Sequence, residues 1–220
     1  MKRRSLGIIL ITLALVFVFS ASQAFALDTE IGETEIMLVG AMEHVRTNET
    51  NLANMIADMM IEVTGADIAL TNGGGIRDSV DVGPVTLEDI LDIHPLENLI
   101  VTQELTGEQI WEALENGVSQ YPAHDERFMQ VSGIRFGFDP AESAGERVEW
   151  VHYQSEDLDL EATYIVATND FMASGGDEYT MLEEAGVLEE FMTLDEALIN
   201  YFKENSPVSP RVQGRITILE

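Results

Sequence analysis

The sequence predicts an α+β domain, a mixed α/β arrangement in which a mixed sheet is flanked by helices. Three observations carry this. Apolar residues recur at helical spacing in several segments, short β-branched runs lie between them, and the whole divides into two helix-then-strand halves with alternating, antiparallel-type pieces between. No period of ~20–50 residues repeats and no Pro/Gly/Ser-rich linker splits the chain, so one domain is expected.

From Glu49 to Val63, the residues Leu52, Met55, Ile56, Met59, Met60 and Val63 fall on one helix face, and Gly65 stops the helix. Asp67 to Thr71 (DIALT) reads as a short buried strand running into three glycines. Thr86-Leu87-Glu88-Asp89 has the residue types of a capping box and opens a short helix over residues 87–93, which Pro95 ends. Leu99 to Gln103 (LIVTQ) reads as a strand. Thr106 to Gln109 repeats the capping-box spacing ahead of a helix whose face holds Ile110 and Leu114, with Trp111 on its flank. Residues 128–138, 147–153 and 164–168 alternate or run apolar with β-branched residues and read as strands. A helix over 194–204 and a strand over 214–219 are expected to close the chain.

Residues 1–26 (MKRRSLGIILITLALVFVFSASQAFA) have the three parts of a secretory signal: basic Lys2, Arg3 and Arg4, an uncharged apolar stretch from Gly7 to Phe19, and the small-residue site Ala24-Phe25-Ala26. A retained anchor is the other reading, but the apolar core is shorter than the ~20 residues of a spanning helix. Cleavage after Ala26 is therefore expected, leaving a domain over 27–220 that is secreted or extracytoplasmic, in the periplasm or at the cell surface, without stable membrane association. Removing the three cations takes the formal charge from −29 to −32 and leaves Lys203 as the one lysine among eight basic residues, against 40 Asp and Glu. Repulsion makes nucleic acid and anionic membranes poor partners. The chain has no cysteine, so its stability must come from its core rather than from disulfides.

Three stretches have the character of a site. In TNGGGIR (71–77), a run of glycines lets backbone N–H groups approach a ligand, and Arg77 adds a planar charged fork for phosphate or carboxylate. The same residues read equally as a tight strand-to-loop turn, and their spacing matches neither GxxxxGK[ST] nor GxGxxG. In ATNDFMASGGDEY (167–179), Phe171 sits in a polar, glycine-rich loop where its ring can stack on a planar ligand, and Asp177 can accept hydrogen bonds from adjacent hydroxyls such as those of a ribose. Alternatively, Phe171 plugs the loop into the core and Asp177 caps a helix beginning near Tyr179. VRTNETNLAN (45–54) places Arg46 just ahead of the Met-rich helix, whose N-terminal amides favour an anion; the plainer reading is an exposed arginine at a helix start. His44, His94, His124 and His152 occur singly, which speaks against zinc or iron. The methionines suit core filling.

Taken in order, VRTNETNLANMIADMM (45–60), TNGGGIRDSVDVGPVTLEDILDIHPLENLIVTQELTG (71–107), FMQVSGIRFGFD (128–139) and YIVATNDFMASGGDEY (164–179) resemble the C-terminal domain of the 5'-nucleotidase family, which includes periplasmic UDP-sugar hydrolases and cyclic-nucleotide phosphodiesterases. The similarity covers about Ile31 to Leu219, and the ordered co-occurrence of NGGGIR, QVSG and NDFMASGGD makes it specific. The resemblance implies a substrate-binding domain that holds a nucleotide or nucleoside. Phe171 is then one of two rings around the base, Asp177 the ribose acceptor, and Asn72, Gly74 and Arg77 the polar grip from the glycine loop; Arg46 matches a further arginine at the start of the first helix. The second ring's place, after the proline of HPLEN, is taken by Leu96. At ~1–3 kcal/mol per stacked base, an aliphatic side chain there weakens binding roughly tenfold or more.

The resemblance also implies that hydrolysis belongs to an N-terminal metallophosphatase domain, where two metal ions on Asp, His and Asn activate water. No Asp-x-His, GNHE or paired-histidine metal cluster is read in this chain, so no catalytic or metal-ligating residue is expected in it. The expectation is a binding domain without a cofactor of its own, working with a metallophosphatase domain on another chain that carries the divalent metals. A non-enzymatic nucleotide- or nucleoside-binding module is the alternative. The dispersed acidic residues and near-absence of lysine fit a high-salt habitat, because salt screens self-repulsion. The melting temperature is expected to rise between low and molar NaCl; a flat or falling trend contradicts it.

Overall fold

The computed structural model describes residues 27–219; the secretory segment expected over 1–26 lies outside the described residues. In chain order the elements are β1 (Glu30–Thr34), α1 (Met42–Val45), α2 (Asn51–Thr64), β2 (Ile68–Asn72), a 3-10 turn at Gly73–Gly75, β3 (Gly83–Thr86), α3 (Leu87–Ile93), β4 (Leu99–Thr106) and α4 (Gly107–Val118). The second half holds β5 (Met129–Ser132), β6 (Ile134–Phe138), β7 (Val148–Tyr153), β8 (Glu156–Asp157), β9 (Thr163–Asn169), α5 (Asp170–Ala173), a 3-10 turn at Gly176–Glu178, α6 (Thr180–Ala185), β10 (Glu189–Thr193), α7 (Leu194–Asn205) and β11 (Ile216–Ile218).

A five-stranded sheet in the order β10-β4-β9-β2-β5 is the frame, and β2 and β9 are its parallel pair. Its two faces bury different cores, because successive side chains point to opposite sides of a strand. Ala69, Ile100 and Ala167 face a layer built from α2, α3 and α7, where Met55, Met59, Ile90, Leu198 and Phe202 pack. Ile68, Leu70, Val131 and Val166 face α4 and a second sheet, ordered β11-β6-β7-β8, whose Phe136, Phe138 and Val151 complete the other core. The layers are helix, sheet, and helix with small sheet, as a mixed sheet flanked by helices requires.

The local signals act as their chemistry predicts. Thr50 caps α2 by accepting from the Ala53 N–H, Gly65 ends it, and Leu52, Met55, Ile56, Met59 and Met60 are buried on one face. Both capping boxes form, Thr86 with Asp89 at α3 and Thr106 with Gln109 at α4. Two expectations change. Residues 128–138 form two strands in two different sheets, because Gly133 turns the chain at φ +81° with its Cα against the Asp67 carbonyl; a Cβ there would collide with that oxygen. The edge strand β10 and the pair β1–β3 carry no clear alternation, since β10 is largely exposed and all of β1 but Thr34 is exposed or only partly buried. Among the described residues, no helix is long and apolar enough to cross a membrane.

Because Gly133 combines positive φ with a close backbone approach, Gly133→Ala is expected to lower the unfolding free energy by ~1–3 kcal/mol or more. Urea titration checks this: unchanged stability would show that the corner between the two sheets is not fixed there.

Candidate functional site

The central parallel strands end alike, β2 in Thr71-Asn72 and β9 in Thr168-Asn169. Antiparallel β4 and β5 start at the same end, where Ile100 pairs with Asn169 and Met129 with Asn72. The region beyond the carboxyl ends of parallel strands is where loops can converge on a ligand. Here the two buried asparagines set the geometry. Asn169 Oδ1 accepts the Met172 N–H (2.9 Å) and caps α5, so its Nδ2 must point the other way, donating to Asn72 Oδ1 at 3.1 Å. Asn72 Nδ2 is then directed at Asp177 Oδ2, 2.7 Å away.

Asp177 and Glu178 occupy left-handed backbone, at φ +53° and +64°. Such residues cost on the order of 1–3 kcal/mol each and need surrounding contacts to hold them. Asn116 Nδ2 donates to the Asp177 carbonyl (3.0 Å), and Arg127 binds Glu178 at 2.9 Å and Asp125 at 2.8 Å. The fully buried Tyr179 hydroxyl donates to the Arg127 carbonyl. Beside this turn the Phe171 ring lies over Gly176, where a Cβ would come within 2.5 Å of the ring. Phe171 is 45 % exposed, so it does not plug the core. Nor does Asp177 cap a helix: α6 starts after Tyr179 with no side-chain cap. Burial is the main influence holding the Asp177 carboxyl above its ordinary pKa, with Glu126 and Asp125 adding to it; the Asn72 hydrogen bond and Arg127 oppose it.

The glycine loop works differently from an anion-binding nest. The N–H groups of Gly73 and Gly74 donate to the carbonyls of Phe128 (2.8 Å) and Glu126 (2.7 Å), and the Gly75 carbonyl meets His94 Nδ1 at 2.7 Å. What the loop offers a ligand is therefore its side chains. Arg77 is anchored through Nε to the Gly74 carbonyl at 2.7 Å, which leaves the outer guanidinium edge for an anion. Since that carbonyl of Gly75 can only accept, His94 carries its proton on Nδ1, and its buried Nε2 has no partner. Burial keeps His94 below its usual pKa. One Asp-x-His spacing does occur, Asp92-Ile93-His94, but Asp92 is exposed while His94 serves the glycine loop. Among the described residues, no group of three His, Cys, Asp or Glu is placed to hold a metal ion.

Arg46 follows α1, five residues ahead of α2, so the helix-dipole explanation for it does not hold; the first amides of α2 bond to Asn51 and Thr50 instead. Its loop is carried to the site by buried Gln130, which donates to the carbonyls of Val45 (2.8 Å) and Asn48 (2.7 Å). The Arg46 side chain is buried, pairs with Glu126 at 3.2 Å, and has a buried Nε without a partner. Leu96 is 45 % exposed on the loop between α3 and β4, which Asn98 fastens to Asp170, next to Phe171, at 2.8 Å. Nothing in the local sequence singles out Asn98, Asn116, Glu126, Arg127, Asn169 or Asp170. The repeated Thr-Asn ending of two β-branched runs is the available signal for one of them, Asn169.

One end of the sheet thus gathers a half-exposed ring, a carboxylate, an amide relay and two arginines. That set can recognise a flat heterocycle, vicinal hydroxyls and an anion. The family model for the 5'-nucleotidase C-terminal domain matches residues 30–184. The chain is 43% identical over 200 residues to the trifunctional nucleotide phosphoesterase protein YfkN of Bacillus subtilis (strain 168), covering 86% of this chain and 14% of that protein. It is 30% identical over 187 residues to the protein UshA of Escherichia coli (strain K12), covering 84% and 33% respectively. The solved 5'-nucleotidase precursor from Thermus thermophilus superposes with a TM-score of 0.88 at 39% identity, over 96% of this chain and 43% of that one. The chain therefore spans well under two thirds of these relatives. With the fold, the ordered motifs and the family model in agreement, this chain belongs to the 5'-nucleotidase family, of which it carries the C-terminal domain.

Proposed function

We propose that this domain is exported, binds a nucleoside 5'-phosphate or a related nucleotide, and contributes to nucleotide hydrolysis together with a metallophosphatase domain from another chain that carries the divalent metals. The observation that carries the proposal is the Asn169–Asn72–Asp177 relay ending beside the exposed Phe171 ring. Names such as nucleotide phosphoesterase and 5'-nucleotidase among the relatives support the substrate class. Phe171 stacks on the base and Asp177 accepts the ribose hydroxyls. Arg77 and the incompletely bonded Arg46 hold the phosphate. Their contribution to rate is positioning, since an ester fixed in line with its attacking water reacts far faster than a free one. An exposed Leu96 where a second ring is expected predicts looser base binding and favours, as second reading, a binding module without hydrolysis.

Calorimetry with AMP, adenosine and UDP-glucose is the test. Wild type is expected to bind AMP; Phe171→Ala weakens it about tenfold or more, Asp177→Ala weakens every ribose ligand, and Leu96→Phe strengthens binding by about tenfold. If none of the three ligands binds, the site assignment is wrong. With Mn or Zn ions and AMP, this chain alone is expected to release no phosphate above background, and robust release overturns the division of labour.

Asp177 gives the pH dependence. Its folded pKa lies above the ordinary 3.8, so its ionisation opposes folding, and its contribution to stability declines as pH rises from 3.8 through the folded value. Ribose hydroxyls need the ionised acceptor. Affinity for adenosine, which lacks AMP's titrating phosphate, should therefore be full at neutral pH and fall as pH is lowered through that raised value; in Asp177→Asn this fall should be smaller.

A further inference from the structure

At the opposite end of β5 from Asn72, a cleft of about 590 Å³ opens between the two sheets, lined by residues of β5, β6, β7 and the segment before β11. Its lining contains no Asp or Glu, although the chain has 40 of them against 11 Lys and Arg. Two arginines, Arg135 and Arg215, line it instead, with His152. The Asp58, Asp157 and Glu49 carboxylates stand behind this lining, on Arg215, His152 and the Gln213 N–H, so the group open to a small anion is the exposed Arg135.

The polar groups of the lining are arranged rather than scattered. Arg135 on β6 and His152 on β7 are cross-strand partners, so both project from one face. His152 stacks on Trp150 with ring centroids 4.7 Å apart and lies 3.2 Å from Asp157. Arg215 is buried and fixed by the Val131 carbonyl (2.9 Å) and Asp58 (2.8 Å), so much of its charge is already compensated. Arg135 is exposed and has no ion-pair partner among the described residues.

An independent feature of the backbone points into the same cleft. Tyr153 pairs with Glu156, which makes Gln154 and Ser155 a two-residue hairpin turn, at φ +51° and +71°. A turn with two positive φ values is the habitual place of Asn-Gly or Gly-Gly. This chain puts two side-chain-bearing residues there at a conformational cost, and both line the cleft, offering an amide and a hydroxyl.

We propose that this cleft is a second ligand site, separate from the nucleotide site, for a small hydroxylated molecule carrying one phosphate or carboxylate group. Arg135 takes the oxyanion through its planar fork, and Gln154 and Ser155 meet the hydroxyls, while Ser132 is committed to Asp58 at 2.6 Å. The test is a heteronuclear NMR titration with ribose 5-phosphate, inorganic phosphate, gluconate and ribose, each to ~10 mM, in the Asp177→Ala background to weaken the other site, the two sites being told apart by which amides shift. Ribose 5-phosphate or gluconate is expected to shift amides at 132–135, 152–155 and 213–215, whichever responds at lower concentration naming the oxyanion. Arg135→Gln should weaken that response at least tenfold. Gln154→Gly/Ser155→Gly, which relieves the turn and keeps the fold, should weaken it several-fold. No shifts in these segments, equal response to ribose, or an unchanged affinity in Arg135→Gln would overturn the proposal.

Discussion

Two asparagine side chains at the ends of two parallel strands fix the arrangement of this domain's working end. Because the α5 amide commits Asn169 to present its nitrogen, Asn72 must present its oxygen to it and its nitrogen to Asp177. One backbone hydrogen bond therefore orients three side chains in series. Buried amides in such a chain have no alternative partner, and reversing either would leave unsatisfied donors and acceptors at about 1–3 kcal/mol each. The relay also joins segments nearly a hundred residues apart, so the glycine loop and the Asp177 turn hold their relative positions only when the sheet is complete.

The scarcity of cations shows what each is for. Arg127 clamps the strained Asp177 turn, Arg147 binds the carbonyls of Val118, Ser119 and Tyr121 at the end of α4, and Arg215 ties the last strand to Asp58 and β5. These are multidentate internal ties, which a guanidinium makes and an ammonium does not. Glu49 plays the complementary part: its carboxylate accepts from the Gln213 and Arg215 N–H groups, both at 2.7 Å, and so fastens the chain's end beside α2. Arg77 keeps an outer edge available, and Arg135 has its whole fork available. The remaining acidic residues serve mainly as a solvated surface, so these two open arginines stand out against a background that repels anions.

The glycine run illustrates how one stretch can be recognised correctly as special and for an incomplete reason. Glycines there let the backbone pass close to Val45, Glu126 and Phe128, and the Gly73 and Gly74 amides are spent on the Phe128 and Glu126 carbonyls. Asn72 is buried in the relay to Asn169 and Asp177, so the outer edge of Arg77 is what this turn leaves open to an anion. Phe171 gives the converse case, since its ring lies flat on Gly176 and remains nearly half exposed, a disposition that core packing would not produce.

By itself the sequence determined the helices with apolar faces and capping boxes, the inner strands and the order of the motifs, because those depend on side chains within a few residues of one another. It also named Asn72, Arg77, Phe171 and Asp177 as chemically unusual where they stand. The tertiary structure alone decided that residues 128–138 divide between two sheets, that an exposed edge strand forms at 189–193, and that Asn169, Gln130 and Arg127 hold the site from a distance. It likewise brought Arg135, His152 and Arg215 to one cleft. Such features rest on contacts between residues tens to more than a hundred positions apart, where spacing along the chain carries no signal and only the closed sheet sets which side chains meet.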